Sequence, residues 1–141
     1  MRAVLLQDKV RILANRWPVL IVRERGALTA DERRCAMVAL SAAARGRGGL
    51  YGLVLDFQHA ELLSVADREL IEAFGRAAGR RCRAVAAVTQ TGRGSVSAML
   101  WARALQQSVV LVGSVPEGVR SCCRVLGVAP PAAMGLVGLD A

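Results

Sequence analysis

The chain has one histidine in 141 residues, so any mechanism that moves a proton through an imidazole has to run through His59. No G-x-S-x-G elbow is present to display a serine nucleophile, which removes the usual signature of an α/β-hydrolase. The four cysteines, Cys35, Cys82, Cys122 and Cys123, never fall at the C-x-x-C spacing of a zinc or dithiol redox site. They read instead as buried free thiols in a reducing, cytoplasmic compartment. No apolar run approaches the roughly 18 residues of a membrane span. The opening "MRAVLLQDKVRIL" is broken by Asp8 and Lys9, so it lacks the continuous apolar region of a signal peptide.

Aromatic residues are scarce at 4%, against 54% hydrophobic overall. The core must therefore be built from alanine, valine and leucine, which suits helices packed closely on a sheet. Lysine is almost absent: 19 basic residues face 11 acidic ones for a net charge of +8, and all but one of the basic residues are arginine. Net charge speaks to association and not to fold, and arginine alongside this much alanine and glycine follows base composition. A nucleic-acid surface would draw on "RAAGRRCR" (Arg76 to Arg83), Arg45 and Arg47. It would also need stacking aromatics or a recognition helix. The few aromatics disfavour it, and a solvated basic face is the expected outcome.

What is present is a regular alternation of periods. Val10 to Leu13 and Val19 to Arg23 are β-rich runs joined by a turn near Asn15 and Arg16, with Pro18 tolerable at a strand start or an edge. They predict an antiparallel hairpin that residues 2 to 6 could extend. Thr29 and Glu32 have capping-box spacing ahead of a helix whose apolar positions include Ala36, Met37, Leu40 and Ala44. Tyr51 to Phe57 reads as a strand buried on both faces. Ser64 and Asp67 repeat the capping spacing before the stripe Leu70, Ile71, Phe74 and Ala78. Strand Arg83 to Thr89, helix Ser95 to Gln106, strand Val109 to Val112 and helix Pro116 to Leu126 follow, the last opened by Ser114, Pro116 and Glu117. Strands alternating with helices imply parallel pairing and right-handed crossovers. A single domain over residues 1–127 is expected, followed by a tail, 128–141, whose two prolines forbid further helix; it reads either as a disordered end or as a segment whose Met134, Leu136, Val137 and Leu139 pack on an exposed apolar patch.

Two junctions carry the chemical candidates. At the first, Asp56 leaves a parallel strand at the edge where open α/β folds place ligands, and Gln58, His59, Glu61, Ser64 and Asp67 follow in the polar stretch "QHAELLS" and the next helix start. An acid/base cluster can be drawn from Asp56, His59 and Glu61, yet a solvated loop histidine is the more economical reading. At the second, "TGRGSVSAML" places Gly92, Arg93, Gly94 and Ser95 between a strand and a helix. Helix-start amides attract anions and glycine permits close approach. The loop lacks the Walker lysine and the third glycine of the dinucleotide fingerprint, so a tight turn capped by Ser95 competes with an anion site. Trp17 and Trp101 are both candidates for partial exposure.

Element order and local motifs together resemble the STAS superfamily, most closely the small bacterial SpoIIAA-like or STAS/SEC14-like proteins. The resemblance spans about Val10 to Gly127. It rests on Gly26 with Thr29 and Glu32, "GLVLDF" at Gly52 to Phe57, "AVAAV" at Ala84 to Val88 and "VVLVGSVPEGV" at Val109 to Val119. It implies an α/β fold: a mixed sheet of four or five strands, beginning with an antiparallel hairpin and continuing as parallel βαβ units, with about four helices largely on one face. It also implies regulation through protein contacts, without catalysis, cofactor or metal. In the anti-sigma antagonist branch, a "DSSG" motif carries the phosphorylated serine. Here that motif falls on Ser64, Val65, Ala66 and Asp67, so the phosphoacceptor position is alanine and the usual switch is missing. Ser64 has a sufficient reason to be serine as a helix cap. The expected role is a noncatalytic interaction module with a protein partner; homodimerisation and a small ligand at Gly92 to Ser95 are left open.

Overall fold

The computed structural model describes residues 3–130. Three strands come first: β1 (Ala3–Leu6), β2 (Val10–Arg16) and β3 (Val19–Gly26). Helices and strands then alternate as α1 (Ala30–Gly46), β4 (Tyr51–Ala60), α2 (Val65–Ala78), β5 (Cys82–Val88), α3 (Gly92–Ala104), β6 (Val109–Val112) and α4 (Val115–Leu126), with a 3-10 turn, Gly79–Arg81, before β5. Residues 131–141, which hold Met134, Leu136, Val137 and Leu139, lie outside the described residues.

The strands stand in the sheet in chain order. β1–β2 and β2–β3 are antiparallel, and the other three pairs are parallel. This is the mixed sheet that the sequence predicts. Counting β1, which pairs Ala3 with Leu13 and Leu6 with Arg11, it has six strands. The hairpin turn falls at Trp17 and Pro18, joined by a cis peptide, two residues beyond the Asn15–Arg16 turn expected from composition.

Three helix starts form as their capping spacing dictates. Thr29 Oγ1 accepts from Glu32 N at 3.1 Å, and Glu32 Oε1 accepts from Thr29 N at 2.7 Å. Ser64 and Asp67 do the same for α2. Ser114 Oγ accepts from Glu117 N at 3.3 Å at the head of α4. Gly127 then ends α4 with a φ of 71°, a conformation that costs glycine little.

Layering follows from chirality. α1, α2 and α3 each carry the chain to a parallel neighbour, always stepping the same way across the sheet. Right-handed crossovers place all three on one face, and their apolar residues share one core with Leu20, Val22, Leu53, Leu55 and Phe57. α4 follows the last strand, so no crossover rule binds it to that face. It covers the other one, packing Val119, Cys122 and Cys123 on Val54 and Ala86. β4 lies between both layers and is fully buried from Tyr51 to Phe57.

Trp101 centres the larger core. It is 0% exposed and meets Phe57 edge to face, with ring centroids 6.1 Å apart, and Phe74 at 6.3 Å. Partial exposure is therefore wrong for Trp101, because α3 points its inner face at β4 and α2. Trp17 is half-buried and stacks on Tyr51 at 6.2 Å.

Candidate functional site

β4 runs to Ala60, three residues beyond the Phe57 end read from its apolar run. Arg25 pairs with His59 and Gly26 with Ala60 in the parallel ladder. The stretch "QHAELLS" is thus not all turn: Gln58, His59 and Ala60 are strand, and only residues 61–64 connect to α2. The register shifts by one residue between the Arg23–Asp56 and Arg25–His59 pairs, with the extra residue in β4, so β3 stays paired along this extension.

Asp56 is buried and fully engaged. Arg23 Nε donates to its Oδ2 at 2.7 Å, and Gln58 Nε2 donates to its Oδ1 at 2.9 Å. Gln90 Nε2 in turn donates to Gln58 Oε1 at 3.0 Å, carrying the chain of bonds to the segment before α3. His59 is exposed, and no hydrogen bond joins it to Asp56 or Glu61 among the described residues. A cavity of about 190 Å³ lined by Arg23, Glu24, Arg25, Asp56, Gln58 and His59 opens here. The acid/base cluster drawn on paper does not assemble, because Asp56 is held by Arg23 and Glu61 faces Arg93.

The second junction meets the first on the same rim. Arg93 Nη1 donates to Glu61 Oε2 at 3.1 Å, and Ser97 Oγ donates to the Glu61 carbonyl at 2.7 Å. Gly92, Arg93 and Gly94 are not a loop, however: they form the first turn of α3. The cap is Thr91, whose Oγ1 accepts from Gly94 N at 3.1 Å. Ser95, expected as the cap, instead shares a hydrogen bond with Thr89 Oγ1 at 2.9 Å. Gly94 has a packing reason to be glycine, since a Cβ there would lie 2.5 Å from the Phe57 carbonyl oxygen. An anion at this helix start would have to displace the carboxylate that Arg93 already holds.

Behind the rim sits a buried charge cluster that periodicity alone did not single out. Arg33 is 1% exposed. Its Nη1 and Nη2 donate to the two Glu24 oxygens at 2.6 and 3.0 Å, and its Nε donates to Asp67 Oδ1 at 3.1 Å. Asp67 Oδ2 accepts from Ser64 N at 3.0 Å, so α2's cap and α1's arginine form one network. Burial alone would pull the Arg33 pKa down; hydrogen bonds and charge from Glu24, then Asp67, outweigh it and push it up, so the guanidinium stays charged. A signal was available. Arg33 continues the α1 stripe of Ala36, Met37, Leu40 and Ala44 back by one turn, and Glu24 alternates with Leu20 and Val22. Opposite charges at core positions of two adjacent elements predict a buried pair.

Ser64 Oγ accepts from Asp67 N at 3.0 Å, which accounts for the hydroxyl. Ser64→Ala is expected to cost about 1 kcal/mol of stability, the usual value of a lost cap, read as a lower midpoint in urea with an unchanged slope. Beside it Leu62, Val65 and Ala66 are exposed.

Among the described residues no cluster of three or more His, Cys, Asp or Glu side chains could hold a metal ion, and no helix is long and apolar enough to cross a membrane. Burial pushes the Cys82 and Cys122 thiols up to about 12, which keeps them protonated. Cys35 departs from the buried-thiol expectation and is exposed on the outer side of α1.

No family model matches the chain, and no curated protein matches it. Among solved structures, it is similar to an uncharacterized protein of the DUF3478 family with a SpoIIAA-like fold from Shewanella loihica PV-4, at a TM-score of 0.66 and 14% identity over 84% of this chain and 99% of that one. At that identity the likeness establishes the fold, which is SpoIIAA-like, as the order of motifs implies.

Proposed function

We propose that this SpoIIAA-like domain is a noncatalytic regulatory module of the cytoplasm, which a partner protein reads at the rim built by residues 58–67 and 90–97. The observation that carries the reading is the division of labour at that rim. Its charges pair off among themselves through Arg23–Asp56, Arg93–Glu61 and Arg33–Asp67. Leu62 and Val65 are left 54% and 64% exposed beside them. Charges bonded to one another are directed into the protein and not at a bound substrate, whereas apolar side chains on a braced polar frame suit a docking surface. With alanine at position 66, recognition does not pass through the serine switch of the anti-sigma antagonists; shape and the apolar pair carry it.

The test is capture from native lysate with wild-type protein and with the double variant Leu62→Asp/Val65→Asp, followed by mass spectrometry. Both positions are solvent-facing, so the thermal melt should not change. A partner held by wild type and lost by the variant is expected. Identical capture by the two proteins would remove the rim from the proposal.

A further inference from the structure

On the helical face of the sheet, α2 and α3 pack side by side and leave a groove between them. It contains two adjoining cavities of about 440 and 610 Å³, both within the range of small-molecule sites, and Arg76, Ala104 and Gln106 line both. Arg68 and Arg103 complete the walls of the first, and Arg80 and Arg83 those of the second. None of these five arginines has a carboxylate within ion-pair distance among the described residues. They come from α2, the 3-10 turn, β5 and α3, so it is tertiary packing that gathers them.

The negative charge that faces the groove offsets only part of these five arginines. Glu72 lines the first cavity and offsets one charge. The carboxyl ends of α2 and α3 open on the second cavity through Gly79 and Leu105, and each contributes about half a negative charge. Roughly three positive charges remain unopposed in a concave site. Guanidinium groups are planar forks that bind phosphate oxygens in pairs. No aromatic side chain lines either cavity, so a base would find nothing to stack on. We infer that the α2–α3 groove binds a short polyphosphate chain, free or carried by a nucleoside, through Arg76 and Arg103, with Arg68, Arg80 and Arg83 supplying the surrounding field.

Calorimetric titration of the full chain with sodium tripolyphosphate tests this, with ATP and a 20-nucleotide single strand as parallel arms. One tripolyphosphate per chain is expected, with affinity that falls as salt rises. The exposed double variant Arg76→Gln/Arg103→Gln should weaken it at least tenfold, while Arg45→Gln/Arg47→Gln, on another surface, leaves it unchanged. Equal affinity for ATP makes the bare chain the recognised unit; tighter ATP binding, lost in the same variant, makes a nucleotide the carrier. Absence of saturation, equal weakening in both variants, or a single strand that displaces tripolyphosphate would overturn the inference, the last by showing a general polyanion surface.

Discussion

Replacing Arg33 with methionine is expected to cost roughly 3–5 kcal/mol, the usual penalty for breaking a buried ion pair from one side. The side chain that would fill the space is not the difficulty, since methionine packs adaptably. The cost lies in Glu24, 3% exposed, and Asp67, 7% exposed, which would lose their shared cation while still buried. A domain of this kind has about 5–15 kcal/mol in total, so the variant should sit near the edge of folding. Urea denaturation would measure it, and a compensating variant gives the diagnosis. Glu24→Leu with Arg33→Met and Asp67→Asn removes the stranded charges, so it should recover a large part of the loss. A triple variant no more stable than Arg33→Met alone would show that the network is not where the energy lies.

Gly75→Ala should be the second severe change. α2 and α3 touch there, and a Cβ on residue 75 would press on the backbone carbonyl of Ala104. No rotamer change relieves a clash with main chain, so the helices must separate and disturb the packing of Phe74 and Trp101. A cost of roughly 3 kcal/mol is expected, at the upper part of the overpacking range. Alanine's better helix propensity returns only about 1 kcal/mol, so the clash decides the sign. Gly92→Ala is the control: nothing lies within 4 Å of its Cβ position, and no loss is expected. Thermal melts of the two variants side by side check both. Equal stability would mean that the helices do not meet at Gly75.

The two helix-start motifs at the rim illustrate how local and tertiary information divide. At Ser64 a single hydroxyl and a carboxylate three residues on are enough to place a helix start, because the bonds that satisfy its first amides come from residues already adjacent in the chain. At Gly92 the same reasoning chose the wrong cap. Thr91 and Ser95 are both good caps in isolation; the fold uses Thr91, and the helix start it caps sets Gly94 against the Phe57 carbonyl, where there is no room for a side chain. That carbonyl belongs to a strand distant in sequence, so no local rule could weigh it.

Sequence by itself determined the succession of elements, three of the four helix caps, the strand buried on both faces and the parallel pairing with its right-handed crossovers. These depend on periodicity, on capping chemistry and on chirality, all of which act within a few residues or apply to every chain. Only the tertiary structure decided that Arg33 joins Asp67 of α2 to Glu24 of β3, that Arg93 answers Glu61 across the rim, that Trp101 is wholly buried, and that five arginines from four elements line one groove. Those outcomes depend on distances between segments far apart in the chain, where Coulomb energy and excluded volume act on position in space and not on order in sequence.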